Sequence, residues 1–225
     1  MQQVRNISSI NRNEKIKSHF DIYINDQYAC TIHEDILVKY RLLSEIEVPD
    51  ELFQLVLKDQ QIQEAYLRVI KWLALRHRTE QEIRVFLKKK NVKDKIIDEC
   101  IFRLMNENYI NDIQTSMHLA EERITKQGKG KRWVSNELMH KGVDSSLINQ
   151  VISHIDDQQE LNSAIKIGQK KWQLISSKFE NIETITKLYN FLSRRGYSSP
   201  IVRKAIHHIT STQIDEEPFE FTSNN

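Results

Sequence analysis

Apolar residues recur at helical spacing along most of the 225-residue chain, and the pattern itself repeats. Residues 83–104, 134–155 and 188–209 align without gaps at offsets of 51 and 54 residues. A short amphipathic helix cannot bury its apolar face alone, so such recurrence predicts tandem units that pack on one another. Six columns are apolar in all three segments: Ile83/Val134/Leu188, Leu87/Leu138/Leu192, Val92/Val143/Tyr197, Ile97/Ile148/Val202, Ile101/Ile152/Ile206 and Leu104/Ile155/Ile209.

One column of the alignment predicts a turn between two helices. It holds Asn91, Gly142 and Gly196, and a basic residue precedes it each time. Glycine enters the left-handed conformation that ends many helices without steric cost, and asparagine does so next best. Basic side chains in a last turn also suit the negative end of the helix dipole.

Residues that cap helix starts follow at matching positions. Thr79 with Glu82 three residues later forms a capping-box pattern. Asp144 and Ser198 are the expected caps of the helices after the turns in the second and third units, and Asp94 is expected to serve in the first. An upstream helix is predicted in each unit, over about 64–76, 113–126 and 161–176. Each unit is therefore a three-helix, helix-turn-helix-like repeat.

The first 60 residues follow another pattern. Residues 20–24 and 28–32 flank the turn formers at 25–27, which predicts a β-hairpin, and residues 4–10 are a further candidate strand. A helix over about 33–43 should end before Val48-Pro49-Asp50, where another helix begins. The predicted domains are a hairpin/helix region at 1–60, repeats at 61–112, 113–157 and 158–209, and an acidic, disordered tail at 210–225.

Composition supports a mainly α fold and argues against a sheet-rich, membrane-spanning or secreted protein. The chain holds only 5 Gly and 3 Pro, too few for a sheet-rich fold with many tight turns. No apolar run approaches the roughly 20 residues that cross a bilayer, and the first residues lack the apolar core of a signal peptide. We therefore expect a cytoplasmic protein without a membrane partner. Of the two cysteines, Cys100 is expected in the core.

Charge is distributed unevenly although the net charge is only +2. Residues 1–64 hold 7 Lys and Arg against 11 Asp and Glu, whereas residues 65–209 hold 26 against 16. The last segment, 210–225, holds four acidic residues and no basic one. A basic body between acidic ends favours a polyanionic partner, either a nucleic acid or an acidic protein surface.

No arrangement for catalysis, metal binding or a cofactor stands out. His207 and His208 point about 100° apart on a helix, and no zinc motif is present. Residues 127–132 have two interpretations: a flexible interhelical loop, or a basic loop whose glycines let backbone N–H groups approach an anion. We therefore expect a binding protein, not an enzyme.

Basic clusters are the candidate binding residues. A charge cluster at a helix end is often only a solvated end, but stacked repeats would align equivalent clusters into one stripe. Trp72 and Trp172 are expected in the core rather than on a binding platform. The candidate partner- and DNA-binding residues are Arg76, Arg78, Arg84, Lys88, Lys89, Lys90, Lys129, Lys131, Arg132, Lys141, Lys170, Lys171, Arg194 and Arg195.

The order of these motifs resembles the RecX family, regulatory proteins that modulate the RecA recombinase. The family often has Gly where this chain has Asn91 and Asn108, which leaves the turn geometry to be tested. The match spans roughly residues 60–209, and the hairpin region fits the longer members. It is carried by residues 73–83, 87–90, 104–112, 120, 123, 128–130, 138–143 and 192–197.

The resemblance implies an elongated, curved arch of three-helix repeats. It further implies a protein that binds along the groove of the RecA filament, inhibits RecA ATPase, strand exchange and coprotease activity, and has weak, salt-dependent affinity for single- or double-stranded DNA. A direct DNA-binding architectural or transcription-regulating helix-turn-helix protein is the alternative. The exposed positions of the second helices do not repeat a base-reading set, which favours the filament regulator.

Overall fold

The computed structural model describes residues 4–176 and 181–214, which form a mainly helical chain with a small sheet at its beginning. The chain divides into two compact units, Met1–Ile110 and Asn111–Asn225. The first unit contains the sheet and the first repeat, and the second contains the other two repeats. The fold class predicted from the hydrophobic pattern is therefore correct.

The sheet of the first unit is antiparallel, with the strand order β3-β2-β1-β4. The predicted hairpin and the candidate strand at 4–10 are both confirmed. Asn25 and Asp26 form the hairpin turn with positive φ angles of 49° and 63°. A fourth, four-residue strand was not expected, because the sequence around Pro49 indicated only a break. The strands are β1 (Val4–Arg12), β2 (His19–Ile24), β3 (Gln27–His33) and β4 (Ile46–Pro49).

Two helices cover one face of the sheet. α1 (Glu34–Lys39) is shorter than the helix predicted over 33–43, since Arg41 has a positive φ of 50° and turns the chain towards β4. α2 (Asp50–Leu73) is continuous across residue 60 and ends three residues before the predicted 64–76 helix does. Phe53 of α2 packs in the sheet core, whereas Val69 packs in the core of the first repeat. One helix therefore serves two cores.

The first repeat comprises α2, α3 (Glu80–Lys89) and α4 (Asp94–Asn106). Thr79 caps α3 with the complete capping box that its spacing with Glu82 predicts. The expectation for Asp94 is wrong: Lys93 occupies the cap position without a side-chain bond, and the Asp94 carboxylate lies 3.0 Å from Lys88 Nζ. Cys100 is fully buried, as expected.

The second unit holds the other two repeats, and their first helices differ. In the second repeat, α5 changes at Glu122 into a five-residue π-helical turn, whereas the pattern predicted one α-helix over 113–126. α10 continues to Ile214, into the segment expected as a tail, and residues 215–225 lie outside the described residues. The elements are α5 (Asp112–Glu121), the π-helical turn (Glu122–Lys126), α6 (Lys131–His140), α7 (Ser145–Ser153), α8 (Asp157–Ile175), α9 (Asn181–Arg194) and α10 (Ser199–Ile214).

The repeat alignment is reproduced in burial and in backbone geometry. The residues of the first two apolar columns are all fully buried. Asn91, Gly142 and Gly196 have φ angles of 58°, 73° and 87°, as predicted for left-handed helix ends. At all three turns the residue after the left-handed one donates its N–H to the carbonyl of the second apolar column, over 3.2, 3.1 and 3.4 Å. Asn108 also has a positive φ, of 59°, after α4.

Candidate functional site

The basic candidates of the first repeat divide into structural and exposed residues. Arg78 is one of the structural ones: its side chain is only 11% exposed, and its guanidinium lies 4.2 Å from the Trp72 ring centre. Trp72 in turn stacks on Phe86 at 4.3 Å, so it is half-buried and helps to hold Arg78 in place. Arg84 bridges the carboxylates of Glu80 and Asp98, at 2.6 Å each. Both arginines are therefore engaged by neighbours within the repeat.

The end of α3 is more open. Lys88 pairs with Asp94 across the turn, and Arg76 approaches Glu82 at 3.4 Å. The side chains of Lys89 and Lys90 are exposed and form no ion pair or hydrogen bond with any residue that the structure describes. His77, which directly follows the helix predicted over 64–76, lies four residues beyond the end of α2 at Leu73.

The glycine-containing loop at 127–132 is neither an open loop nor an anion cradle. Its backbone donors are satisfied inside the chain. The N–H groups of Gly130 and Arg132 donate to the carbonyls of Arg195 and Gly196, over 2.9 and 3.2 Å, and that of Lys129 donates to the Arg123 carbonyl. These N–H groups are therefore not available to an anion, and the loop is packed against the third repeat. Contact of its basic side chains with a partner stays a prediction.

The packing is closest where two glycines cross. A Cβ atom on Gly130 would lie 2.4 Å from the carbonyl carbon of Gly196, and a Cβ on Gly196 would lie 2.5 Å from the Trp133 backbone nitrogen. No side chain fits such separations. We call this contact between the second and third repeats the glycine crossing. Arg195 strengthens it, because its Nη1 donates to the carbonyls of Gln127 and Gly128.

A buried carboxylate completes the same contact. Glu160 of α8 is 3% exposed and accepts the N–H of Lys131, the first residue of α6, at 2.9 Å. Burial raises the pKa of Glu160, while the hydrogen bond from Lys131 and its positive charge oppose that rise. The acceptor thus caps α6, whose own preceding residue, Gly130, has no side chain to do so.

Two of the three basic side chains of the loop contact neighbouring side chains. Lys129 Nζ lies 4.2 Å from the Trp133 ring centre, and burial, with Arg195 nearby, lowers the pKa of Lys129. Lys131 pairs with Asp157 at 2.5 Å. Arg132 is exposed and has no such partner in the described part of the chain.

The third repeat shows a similar division. Lys171 and Arg195 lie 5.6 and 4.9 Å from the Phe191 ring centre, and Lys141 at the turn of the second repeat is half-buried and also has a partner. Trp172 is 7% exposed and belongs to the core, as predicted.

Across the described ranges, the candidate cations that are exposed and whose side chains have no partner are Lys89, Lys90, Arg132, Lys170 and Arg194.

A further group of cations was missed at the sequence level. Arg12, Lys15 and Lys17 lie in and beside the β1–β2 hairpin loop, and all three are exposed. The net charge of −4 over residues 1–64 concealed them. Counting charge in windows of about ten residues would have revealed them, because few of the acidic residues of the region are near.

Other chemistry has little support among residues 4–176 and 181–214. They contain no group of three or more His, Cys, Asp or Glu side chains placed to hold a metal ion. Burial raises the pKa of the Cys30 and Cys100 thiols to about 11, which is opposite to what a reactive thiolate needs. None of the helices in these ranges has the length and apolar character required to cross a bilayer.

Family models match each of the three repeats in order. The models describe the first, second and third three-helix domains of RecX, and they match residues 65–104, 112–152 and 157–206. Each of these ranges falls within one of the three repeats seen in the structure.

Whole-chain comparisons agree with the domain matches. The chain is 28% identical to the regulatory protein RecX of Oceanobacillus iheyensis over 222 residues, which cover 96% of this chain and 81% of the relative. It is also 28% identical to the regulatory protein RecX of Bacillus thuringiensis, over 95% of this chain and 80% of that protein. A crystal structure of a regulatory protein RecX superposes with a TM-score of 0.72 at 22% identity, covering 92% of this chain and 99% of the other. The crystal structure of RecX from Lactobacillus salivarius superposes with a TM-score of 0.62 at 19% identity. The superposition covers 67% of this chain and 97% of the other.

Proposed function

Because the chain belongs to the RecX family of regulatory proteins, we propose that it binds the RecA–DNA filament and inhibits the ATPase, strand-exchange and coprotease activities of RecA. The observation that carries this proposal is the ordered match of three RecX domains to three structural repeats. We further propose that it acts by binding, without catalysis, in the cytoplasm.

The exposed cations support a polyanionic partner. Lys89 and Lys90 end α3 of the first repeat, and Arg194 ends α9 of the third, so equivalent turns carry unpartnered positive charge in the described structure. Filaments of RecA on DNA repeat along their length, and a chain that exposes such cations in its first and third repeats suits a repeating polyanion. The structural arginines, Arg78 and Arg84, are not part of this proposed contact.

A titration of RecA ATPase tests the proposal. Adding the full chain to RecA assembled on single-stranded DNA should lower the rate of ATP hydrolysis progressively, because a bound regulator hinders turnover within the filament. Lys90→Glu should require several-fold more protein for the same inhibition. The control is Arg41→Glu, which makes the same charge change at an exposed residue of the acidic region. An unchanged rate at one wild-type chain per RecA subunit would contradict the proposal.

Direct DNA recognition is the second candidate, and one observation favours it. Each repeat contains two helices joined by a left-handed turn residue, the geometry of a helix-turn-helix. Against it, the outward residue Arg84 is held by two carboxylates, whereas Ser135 and Tyr189 occupy the equivalent positions. Tight, sequence-dependent binding to duplex DNA without RecA would favour this second function.

A further inference from the structure

The loop between β1 and β2 concentrates positive charge in a region that is otherwise acidic. Arg12, Lys15 and Lys17 are exposed there, and Ile16 between the two lysines is 50% exposed. We call residues 12–17, between β1 and β2, the hairpin loop. It is a different segment from the turn at Asn25 and Asp26 between β2 and β3. It contains one acidic residue, Glu14, which is also exposed.

The cations of the hairpin loop differ from others in the same region. Arg5 pairs with Asp50 at 2.5 Å, Lys58 pairs with Glu99 at 2.5 Å, and Lys39 pairs with Asp59. In contrast, no residue in the described ranges forms an ion pair or hydrogen bond with the side chains of the three loop cations. Their charges therefore remain available to a partner.

The loop is held in one conformation by its own polar groups. Asn13 Oδ1 accepts the N–H groups of Lys15 and Ile16, at 2.9 and 2.8 Å, and the Asn13 N–H donates to the His19 carbonyl at 2.9 Å. Asn13 Nδ2 donates to the carboxylate of Asp21, which also accepts the Thr31 hydroxyl. These hydrogen bonds lower the pKa of Asp21. A loop that is already ordered loses little conformational entropy on binding.

The composition of the loop fits phosphate better than a protein surface. Lysine is depleted at protein–protein interfaces, whereas it binds phosphate groups as a point charge. An exposed aliphatic side chain among cations can contact the sugars or base edges of a nucleic acid whose phosphates those cations bind. Ile16 has the position for such a contact, between Lys15 and Lys17.

We propose that the hairpin loop binds the phosphate backbone of nucleic acid, as a contact separate from the repeats. The proposal rests on the proposed function in taking the DNA of the filament as the polyanion. Its test uses DNA without RecA, so the two proposals can fail independently. Arg12, Lys15 and Lys17 bind phosphates, and Asn13 keeps the loop in its binding conformation.

The test compares the salt dependence of DNA binding in the full chain and in one variant. Fluorescence anisotropy of a labelled oligonucleotide, single-stranded or duplex, gives the affinity across a range of salt concentrations. The triple variant Arg12→Gln, Lys15→Gln, Lys17→Gln should lower the magnitude of the log–log slope by about 2 to 3, since each neutralised phosphate contributes roughly 0.7 to 0.9. The affinity at about 0.1 M salt should fall on the order of tenfold or more.

Two controls separate a local effect from a general change in charge. Arg41→Gln removes an exposed charge from the same region and should alter the slope by less than about 0.5. Glu14→Gln removes the one carboxylate of the loop and should strengthen binding. The triple variant should keep the wild-type circular dichroism and melting temperature, because its side chains hold nothing in place within the described structure.

Two results would overturn the proposal. One is a triple variant with the slope and affinity of the wild type. The other is a variant that binds DNA normally but no longer inhibits RecA ATPase, which would assign the loop to a protein surface. Absence of inhibition by the wild-type chain would instead count against the proposed function alone.

Discussion

The left-handed residue after the second helix performs one task in all three repeats and a second task in the last. Asn91, Gly142 and Gly196 all end a helix with positive φ. A side chain is compatible with that task, as Asn91 demonstrates. Only at Gly196 would a Cβ also collide with a neighbouring backbone, that of Trp133. Glycine is therefore needed at Gly196 for packing as well as for conformation.

Matched substitutions to asparagine separate these two tasks. Gly142→Asn should change the free energy of unfolding by less than about 1 kcal/mol, because asparagine accepts the left-handed conformation and the residue is exposed. Gly196→Asn should lower it by about 2 to 3 kcal/mol, because the crossing must open to admit a side chain. Chemical denaturation of both variants measures the difference. Equal losses would mean that the crossing does not constrain the residue.

For single residues, the sequence predicts backbone conformation better than it predicts which other residues each one contacts. The alignment of the repeats predicted the positive φ angles at the turns, and the Thr79–Glu82 spacing predicted the capping box. It did not predict that Gly130 meets Gly196, or that Glu160 caps α6, since these contacts join residues far apart in the sequence and depend on how repeats pack. A single sequence contains no signal for such pairs.

The first helices of the repeats differ more than the second and third helices. α2 is extended at its start because it also covers the sheet, and the hydrophobic pattern did not separate those two uses. α5 ends in a π-helical turn, where the Ile124 carbonyl accepts the Ser163 hydroxyl of α8 at 2.5 Å. Ser163 also contacts the Tyr197 hydroxyl at 3.0 Å. The irregular turn is therefore bonded to the third repeat, which hydrophobic periodicity cannot reveal.

Removing the hydrogen bond from Ser163 to the Ile124 carbonyl should destabilise the π-helical turn. Ser163→Ala leaves the Ile124 carbonyl, beside a fully buried side chain, without its hydroxyl partner, so the free energy of unfolding should fall by roughly 1 to 2 kcal/mol. Tyr197→Phe removes only the hydroxyl contact and should cost less than Ser163→Ala. Thermal denaturation of the two variants provides the comparison. A larger loss for Tyr197→Phe would contradict the assigned role of Ser163.

Over the whole molecule, the sequence predicts the sign of the charge but not which charges are available. The body is basic, yet Arg78, Arg84 and Arg195 are used in packing and in internal ion pairs or hydrogen bonds. The candidates that are exposed and unpartnered in the described residues lie mostly at helix ends. Three more cations lie in the hairpin loop of a region whose net charge is negative. Whether a basic side chain is available to a partner depends on its neighbours in space, and a count of charges along the chain does not include those neighbours.

The acidic end of the chain gives a prediction at the same scale. Residues 215–225 contain four carboxylates and no basic side chain, so they should compete weakly with DNA for the basic body. Ending the chain at Ile214 keeps the last residue of α10 and should raise DNA affinity several-fold at low salt, with the difference disappearing near 1 M, where screening is strong. Replacing the four carboxylates by amides in the full chain is the control and should reproduce the effect. No change in either variant would dismiss the competition.

The glycine crossing leads to an expectation about how the second unit loses its structure. The amides of Gly130 and Arg132, at the start of α6, donate to carbonyls of the turn between α9 and α10. They can exchange hydrogen with solvent only when that turn moves away, so protection of the second repeat depends on the third. Tandem repeats are often pictured as units that fray one at a time from an end. Here we expect the last two repeats to lose their structure together, because loss of the last one removes the Glu160 cap from α6.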